Sequence, residues 1–361
     1  MISHRNVISN ILQHVTYESI GRKQKGVKTQ NVLGFLPLSH IYGLIVVAHT
    51  STWRGDGIFV LPKYDFQWFL ESIQKYKIEQ LLVVPPIIIN MLRSKETCQN
   101  YNLSSVRFVY SGAAPLGKET IEEMKQMYPK WTIAQAYGMT ETSVVVTSPS
   151  EHDVYPRASG SLLPGVKVKI VDLSGVEVTE YEKPGEILVQ SPAVVLGYLN
   201  NESATSETFV HNDDGRWIRT GDEGLVTLAP SGNEQIVIVD RIKELIKVKA
   251  QGHQVAPAEL EAHLLSHPAV ADCAVIQTPD EKSGEVPKAF VVKALEAMST
   301  PDEELAQKLV TYVADHKAPY KCIKGGVEFV DSVPKSPSGK ILRRLLRDRE
   351  KEMRRKQGTK L

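Results

Sequence analysis

The stretch Gln135–Thr142, which reads QAYGMTET, places an aromatic ring, a flexible glycine, a hydroxyl and a carboxylate within a few residues. Such a set could stack on a base, contact a phosphate oxygen and bind a magnesium ion. The carboxylate of Glu141 is the most specific element, because a phosphate would repel it unless a divalent cation lay between them. An unliganded glutamate in a polar loop needs no such explanation, so both interpretations stay open for this motif.

Two further glycine-containing motifs could contribute to the same chemistry. The stretch Tyr110–Leu116, YSGAAPL, ends a β-like run in small residues, which would let a flat ring lie against the backbone. By itself it is more typical of a tight turn between a strand and a helix. The stretch Thr220–Asp222, TGD, puts an aspartate just after a glycine turn, where it could accept two hydrogen bonds from a ribose diol. TGD alone is also a common turn.

Lysines close to the end of the chain could supply the opposite charge. The segment Pro337–Arg344, PSGKILRR, presents Lys340 on a Gly/Ser loop at the start of a basic helix. A lysine in this position could reach into a cleft and neutralise charge that develops on a phosphate or carboxylate. The alternative is a solvated side chain, which is the usual state of a lysine at a helix start.

The elements that must position these residues follow from the hydrophobic pattern. Residues 1–240 begin with apolar runs such as VLGFLPL, QLLVVPP and VRFVYSG that alternate with helical patterns, which predicts a layered α/β region with mostly parallel strands. From about residue 160 short strands between turn residues predict a small antiparallel or barrel-like section. Residues 241–361 predict a compact α+β domain of ordinary size. The fold class is therefore α/β with a second, smaller α+β domain.

Composition and charge narrow the function classes. The formal charge of +1 gives no electrostatic footprint for nucleic acid. The three cysteines lack metal-ligand spacing, and no apolar run approaches the length of a membrane span, so we expect a soluble protein of a reducing compartment. The C-terminal tripeptide TKL is similar to the peroxisomal signal SKL, which suggests a peroxisomal location, with the cytoplasm as the alternative.

The order of the motifs is more specific than any one of them. Five motifs follow one another along the chain: SGAAP, YGMTE, TGD, DRIKELIK and PKSPSGK. In this order of motifs the chain resembles the adenylate-forming acyl-CoA ligases, and within them the 4-coumarate:CoA ligase-like branch. The likeness extends from Met1 to Arg344. It implies that ATP and a carboxylic acid give an acyl adenylate and pyrophosphate, after which coenzyme A displaces AMP. It also implies a large adenylation domain and a small C-terminal domain that rotates about a hinge near Asp240.

The resemblance implies roles for particular residues in nucleotide binding. Thr140 would contact the phosphate, Glu141 would bind Mg²⁺, and Asp222 would bind the ribose hydroxyls of ATP or AMP with help from Arg241. In the adenylation pose Lys340 would bridge the phosphate and acyl oxygens and stabilise the transition state. The residues implied to surround the adenine are Ala113, Ala114, Gln135, Ala136 and Tyr137.

Other positions are implied to bind the acid and coenzyme A. His40 and Tyr42, in PLSHIYG, match residues of the acid pocket, and Lys63 falls by spacing where a family lysine meets coenzyme A. The hinge and the thioester-forming face would use Lys243, Lys247, Lys249, Gly252 and Gln254. The family usually has Lys-Gly-aromatic-Gln here, whereas this chain has two extra residues and a histidine before Gln254. Because an extended residue spans about 3.3 Å, the insertion could move Gln254 by several ångströms.

The beginning of the chain departs further from the family pattern. MISHRN, with Ser3 as a helix N-cap, follows a Ser/Thr/Gly-rich phosphate-binding loop in the family, and about a third of the enzyme lies before it. The sequence given starts at this helix, so we expect a truncated adenylation domain with exposed apolar edges. The leading hypothesis is an aryl or fatty acid:CoA ligase. The alternatives are a non-catalytic binder of AMP or acyl adenylate, and a module that passes its acid to a carrier thiol.

Overall fold

Short apolar runs in the first part of the chain form the strands of a parallel sheet. Its five strands lie in the order β2-β1-β3-β4-β5, and every neighbouring pair is parallel. The strands are β1 Asn31–Gly34, β2 Gly57–Val60, β3 Gln80–Val83, β4 Phe108–Ser111 and β5 Thr132–Gln135. β3 and β4 are buried along their whole length, which agrees with their continuous apolar sequence. The predicted layered α/β class is confirmed.

The computed structural model describes residues 1–248, 253–336 and 339–358. Within these limits the chain divides into two units, Met1–Val239 and Asp240–Leu361. Each unit has a hydrophobic core of its own. Three features of the sequence prediction lie outside the described residues: Lys249, Gly252 and the C-terminal tripeptide TKL.

Helices of the first unit alternate with the parallel strands, as the pattern predicts, except that the first helix precedes these strands and the last follows them. They are α1 His4–Gln24, α2 Ser51–Arg54, α3 Phe66–Tyr76, α4 Pro85–Arg93, α5 Lys95–Gln99, α6 Lys118–Met127 and α7 Glu202–Thr208, and a π-helical segment, Tyr42–Thr50, leads into α2. α3 shows how sequence determines such an element. Asp65 caps it by accepting a hydrogen bond from the Trp68 amide at 2.9 Å, and Phe69, Leu70 and Ile73 form its buried face.

α1 buries mainly polar side chains. Ser3 is its N-cap, as predicted: its Oγ accepts from the Asn6 amide at 3.1 Å, and Asn6 Oδ1 accepts from the Ser3 amide at 2.9 Å. The apolar residues Ile8, Leu12 and Ile20 are 52%, 41% and 55% exposed. The polar residues buried along α1 are Asn6, Asn10, Gln13, His14, Glu18 and Arg22. The buried residues of α1 are therefore mostly polar, and Ile11 is its buried apolar side chain.

Hydrogen bonds to distant backbone groups explain why polar residues of α1 can be buried. Asn6 Nδ2 donates to the carbonyls of Pro192 and Val194, each at 2.9 Å, and Asn10 Nδ2 donates to the Val145 carbonyl at 2.7 Å. A buried side-chain amide with such partners avoids the cost of desolvation without compensation. These bonds attach α1 to segments that are more than a hundred residues away in the sequence.

Two antiparallel sheets follow the parallel one within the first unit. A three-stranded sheet contains β6 Tyr137–Met139, β7 Val144–Ser148 and β8 Ser161–Leu162. An open sheet in the order β11-β12-β10-β9, with β13 beside β12, contains β9 Lys167–Val171, β10 Gly185–Gln190, β11 Phe209–Asn212, β12 Gly215–Leu228 and β13 Glu234–Arg241. The predicted antiparallel section is therefore present, as an open sheet and not as a barrel.

The described part of the second unit contains one mixed sheet and three α-helices. Its strands are β14 Ile246–Val248, β15 His253–Val255, β16 Val270–Asp280, β17 Gly284–Lys293 and β18 Val327–Phe329, and its helices are α8 Pro257–Leu265, α9 Asp302–His316 and α10 Arg343–Gly358. The long β16–β17 hairpin packs with α8 and α9 around Leu260, Leu309 and Val313. α9 starts with three acidic residues, which interact favourably with the positive end of its dipole.

Cys98, Cys273 and Cys322 are all free thiols, and the first two are buried. Across the described ranges, the helices all fall short of the length or the apolar character needed to cross a bilayer.

A buried charge cluster links α1 to α2. Glu18 Oε1 lies 2.9 Å from His14 Nε2, and Glu18 Oε2 lies 2.5 Å from an Arg54 Nη. Burial alone would raise the pKa of Glu18, but the charges of Arg54 and His14 outweigh it and lower the pKa to about 2. Because the pKa is lower in the folded than in the unfolded chain, the ionised Glu18 stabilises the fold above the ordinary pKa of 4.5.

This stabilisation should be lost as the pH falls from 4.5 towards 2. We therefore expect the difference in unfolding free energy between the wild type and Glu18→Gln to shrink by about 1.5 kcal/mol between about pH 6 and about pH 3.5. Urea unfolding of both proteins at a series of pH values measures this difference in unfolding free energy. Glu71→Gln, which changes an exposed carboxylate in the middle of α3, is the control, and its difference should change much less over this pH range. A constant difference for Glu18→Gln would contradict the assignment.

Gly160 is required by a close approach of two backbone segments. Its φ is +85°, and a Cβ at this position would lie 2.1 Å from the Ser148 carbonyl carbon and 2.2 Å from the Pro149 nitrogen. Gly175 has nearly the same φ, +84°, but a Cβ there meets nothing within 4 Å. Gly175→Ala should cost only the left-handed backbone conformation, about 1–2 kcal/mol.

Gly160→Ala should destabilise the fold by at least about 3 kcal/mol, because the clash with backbone atoms adds to the conformational cost. Thermal and urea unfolding of the two alanine variants provide the comparison. An equal loss of unfolding free energy in both variants would contradict the close approach of residue 160 to Ser148 and Pro149.

Candidate functional site

The predicted nucleotide residues of the first unit follow the carboxyl ends of parallel strands. The loop containing Ala113 and Ala114 follows β4, and Ala136 and Tyr137 follow β5. The adjacent strand ends are tied together, since the Ala136 amide donates to the Ser111 carbonyl at 2.9 Å. In open α/β sheets, ligands bind in the crevice beyond the carboxyl ends of the strands. The structure thus brings these residues to the edge where a ligand is expected.

The loop after β4 has a defined shape. Ala113 adopts a left-handed conformation with φ +70°, and the Leu116 amide donates to Gln135 Oε1 at 3.0 Å. The predicted adenine residue Gln135 therefore holds the loop that carries Ala113 and Ala114. At the start of the loop, Ser111 Oγ is buried and has no hydrogen-bond partner among the residues that the structure describes. An orphaned polar atom of this kind suits a site that takes up a polar ligand.

Tyr42 packs beneath this loop. Its hydroxyl donates to the Tyr110 carbonyl at 2.9 Å, and its Cε1 would lie 3.2 Å from a Cβ at Gly112. Burial raises the pKa of Tyr42 far above its ordinary value, so the hydroxyl remains protonated as a donor. His40 Nδ1 accepts from the Tyr42 amide at 3.2 Å. The two predicted acid-pocket residues are therefore neighbours, and Tyr42 contacts the glycine-containing loop.

Asp222 and Tyr137 meet across two different sheets. The Tyr137 hydroxyl donates to Asp222 Oδ2 at 2.7 Å, and the Asp222 amide donates to Thr220 Oγ1 at 3.1 Å. Asp222 is only 5% exposed. A carboxylate in so restricted an environment is a strong acceptor for hydroxyl groups. The pairing brings the carboxylate predicted to bind ribose next to the aromatic ring predicted to bind adenine.

Gly138 allows the chain to turn back directly after Tyr137. A Cβ at Gly138 would lie 1.5 Å from the Val144 carbonyl oxygen, so only glycine permits β6 to pair with β7 at this point. The return strand is itself unusual, because Ser143 and Val144 have φ values of +50° and +96°. Left-handed conformations are costly for β-branched residues and concentrate at functional sites.

The turn between β6 and β7 carries Thr140 and Glu141. Thr140–Thr142 forms a single 3₁₀ turn in which Thr140 is exposed and Glu141 is half-buried. The Glu141 carbonyl accepts from the Val195 amide at 2.9 Å, and Glu141 Oε1 accepts from the Tyr198 hydroxyl at 2.8 Å. Tyr198 was missed by the sequence reasoning, since no motif links GYLN to a glutamate 57 residues earlier.

The amino end of α1 lies beside this turn. The Leu196 amide donates to the Met1 carbonyl at 3.0 Å, and the amide of the preceding residue, Val195, donates to the Glu141 carbonyl. Asn10, two turns into α1, bonds to the strand that follows Glu141. Asn6 and Asn10 are structural residues of the site that sequence reasoning missed, because their partners are backbone groups of distant segments.

The remaining sequence-predicted residues lie in other places. Lys63, in the first unit, is exposed, with its Nζ 5.9 Å from the centre of the Trp68 ring. In the second unit Lys243 and Lys340 are exposed, and the Lys340 amide donates to Ser336 Oγ at 3.2 Å. Arg241, also in the second unit, is half-buried at the end of β13.

Lys247 and Gln254 form a pair on the second unit. They lie directly opposite each other in the antiparallel β14–β15 ladder, and both are exposed. Residues opposite each other in such a ladder point to the same face of the sheet. The insertion before Gln254 thus leaves it facing Lys247. His253 stacks on Tyr320 with ring centres 4.1 Å apart, which is the contact that an aromatic residue would make there.

The donor set around Glu141 can be compared with the needs of a metal ion. Among the described residues there is no group of three or more histidine, cysteine, aspartate or glutamate side chains that could hold a metal. Mg²⁺ is commonly bound by one or two carboxylates together with phosphate oxygens and water. The single carboxylate of Glu141, beside the hydroxyl-bearing Thr140, fits that mode and does not fit a closed structural metal site.

Comparison with known proteins identifies the family. Residues 1–199 match the AMP-binding enzyme family, and residues 259–340 match the AMP-binding enzyme C-terminal domain. An acyl-CoA ligase of Purpureocillium lilacinum, lcsD, is 43% identical over 349 residues, which are 97% of this chain and 88% of that protein. A 4-coumarate–CoA ligase of Pinus taeda is 38% identical over 354 residues, which are 97% of this chain and 62% of that protein.

A solved structure agrees with these relatives. The anthranilate CoA ligase AuaEII, in complex with anthranoyl-AMP, matches with a TM-score of 0.77 and 27% identity, over 89% of this chain and 60% of that one. Against several other curated acyl-CoA ligases and the 4-coumarate–CoA ligase, the chain spans 54–62% of the relative's length. The resemblance read from the ordered motifs is thereby confirmed: the chain belongs to the adenylate-forming acyl-CoA ligases of the AMP-binding enzyme family.

Proposed function

We propose that this protein activates a carboxylic acid with ATP and then transfers the acyl group to coenzyme A. The observation that carries the proposal is the hydrogen bond between Tyr137 and Asp222 beside the glycine-containing loop of β4. It puts an aromatic face and a buried carboxylate together at the edge where α/β sheets bind nucleotides. The acyl-CoA ligase relatives favour this activity over a non-catalytic AMP binder.

In the first half-reaction a carboxylate oxygen of the acid forms a bond to the α-phosphorus of ATP, and pyrophosphate leaves. Adenine would lie between the Ala113–Ala114 loop and Tyr137, and Asp222 would accept hydrogen bonds from the ribose hydroxyls. Mg²⁺ would supply positive charge to the phosphates, and Glu141 is the residue that would hold it. The fit of its single carboxylate to that role supports this assignment. Lys340 would stabilise the negative charge of the transition state.

In the second half-reaction the thiol sulfur of coenzyme A attacks the acyl carbonyl carbon, the bond to the phosphate oxygen breaks, and AMP leaves. The shared face of Lys247 and Gln254 supports a role for this strand pair in thioester formation. We assign Lys63 to coenzyme A as well. We further propose an aryl or fatty acid as the substrate, a peroxisomal location from the TKL tail, and coenzyme A in preference to a carrier thiol as the acceptor.

If Asp222 binds the ribose hydroxyls, changing it should affect only nucleotides that carry them. We expect Asp222→Asn to weaken AMP binding about tenfold or more, since a hydrogen bond to a charged group contributes about 1.5–3 kcal/mol. Binding of 2′,3′-dideoxy-AMP should be nearly unchanged. Isothermal titration calorimetry of both nucleotides measures the two effects, and asparagine keeps an oxygen that can accept from Tyr137.

Asp214→Asn is the matched control. Asp214 is an exposed carboxylate of the same unit, and it accepts hydrogen bonds from Trp217 and Lys169. It should leave both affinities as they are. Equal loss of AMP and dideoxy-AMP binding in Asp222→Asn would mean that this carboxylate acts on the fold and not on the ribose.

The activity itself is tested by acid-dependent exchange between ATP and pyrophosphate, with a panel of aryl and fatty acids. We expect exchange with at least one acid, and we expect Lys340→Ala to lower its rate by about 100-fold or more, as for loss of one transition-state donor. AMP affinity should stay the same in this variant. Thioester formation is then followed with coenzyme A.

Lys324→Ala, which removes an exposed lysine elsewhere in the second unit, should exchange at the wild-type rate. A protein that binds AMP yet shows no exchange with any acid would overturn the ligase proposal in favour of a nucleotide binder. Transfer of the acyl group to a carrier protein but not to coenzyme A would mean that the acceptor is a carrier thiol.

A further inference from the structure

The segment Val195–Tyr198 holds Glu141 at two points. The backbone of Glu141 is fixed by the bond from the Val195 amide, and its carboxylate by the bond from the Tyr198 hydroxyl. The terminal torsion of a glutamate has no sharp preference of its own, so the orientation of a carboxylate depends on its partners. A donor on Oε1 therefore determines which way the Glu141 carboxylate faces.

Tyr198 is itself held firmly. Its amide donates to Thr205 Oγ1 at 3.0 Å, and Thr205 Oγ1 donates in turn to the Asn201 carbonyl at 2.7 Å. Its ring packs against Phe209 with centres 5.8 Å apart and planes inclined by 56°. The preceding residue suits glycine, because Gly197 has a φ of +147° and a Cβ there would lie 2.7 Å from Thr205 Cγ2. The hydroxyl is thus presented to Glu141 by a side chain whose backbone and ring are both fixed.

Residues that hydrogen-bond to a metal-binding carboxylate orient it before the metal arrives, and their loss commonly lowers metal affinity. A half-buried glutamate that must be ordered on binding would lose side-chain entropy at that moment. We propose that Tyr198 is a positioning residue that orients the Glu141 carboxylate for the magnesium ion on the nucleotide phosphates. This inference rests on the proposed function, since it needs Glu141 to meet a metal-bound nucleotide.

A second tyrosine-to-glutamate hydrogen bond in the first unit provides a control that distinguishes a metal-positioning role from a structural one. The Tyr181 hydroxyl donates to Glu234 Oε1 at 2.5 Å in the antiparallel section, among exposed residues. Tyr181→Phe and Tyr198→Phe each remove one tyrosine-to-glutamate hydrogen bond and retain the ring. Only the second bond involves a residue predicted to bind metal.

The experiment measures ATP affinity of the full chain by calorimetry over a series of Mg²⁺ concentrations, together with AMP affinity without metal. For Tyr198→Phe we expect the Mg²⁺ concentration at half-maximal enhancement of ATP binding to rise about tenfold. Excess Mg²⁺ should restore the wild-type ATP affinity, because the Glu141 carboxylate is still present. AMP binding and the thermal unfolding midpoint should match those of Tyr181→Phe.

An unchanged or lower Mg²⁺ requirement in Tyr198→Phe would overturn the inference, as would an equal shift in Tyr181→Phe. A wild-type chain whose ATP affinity does not respond to Mg²⁺ would overturn it together with the metal role of Glu141. Failure of the wild-type chain to bind AMP at all would instead count against the proposed function. The two failures are therefore distinguishable in one set of titrations.

Discussion

The hydrogen bond from Tyr137 to Asp222 is the contact on which the candidate site depends. It joins the hairpin that follows the last parallel strand to β12 of the open antiparallel sheet, across 85 residues of sequence. Asp222 is buried and Tyr137 is half-buried. Away from water a hydrogen bond to a carboxylate is stronger, and an unpaired partner is costly.

Close approaches of the backbone make that contact possible. Gly138 lets β6 fold back against the Val144 carbonyl, and Val144 itself accepts an unfavourable left-handed conformation. The resulting tight turn sets Glu141 next to the segment that contains Tyr198 and next to the start of α1. Left-handed conformations at Ser143 and Val144, beside the irregular β6–β7 pairing, are a form of local strain that is common at binding sites.

Much of the architecture could be predicted, because periodicity and caps are local properties. The patterns FQWFLESIQKY and DEELAQKLVTYVADH coincide with α3 and α9, and Ser3 caps α1 as its type suggests. The local pattern does not show which face of α1 is buried, and its apolar residues Ile8 and Leu12 are exposed. Its asparagines are buried instead, because backbone carbonyls of residues far along the chain satisfy them.

The sequence by itself determined the family, the order of the elements and the kinds of side chain at the site, because these depend on residue type and spacing along the chain. Only the tertiary structure decided which carboxylate meets which hydroxyl. Tyr137 with Asp222 and Tyr198 with Glu141 are contacts between segments separated by many residues, and no local propensity encodes them. They arise only when the sheets of the first unit pack together and bring these segments within hydrogen-bonding distance.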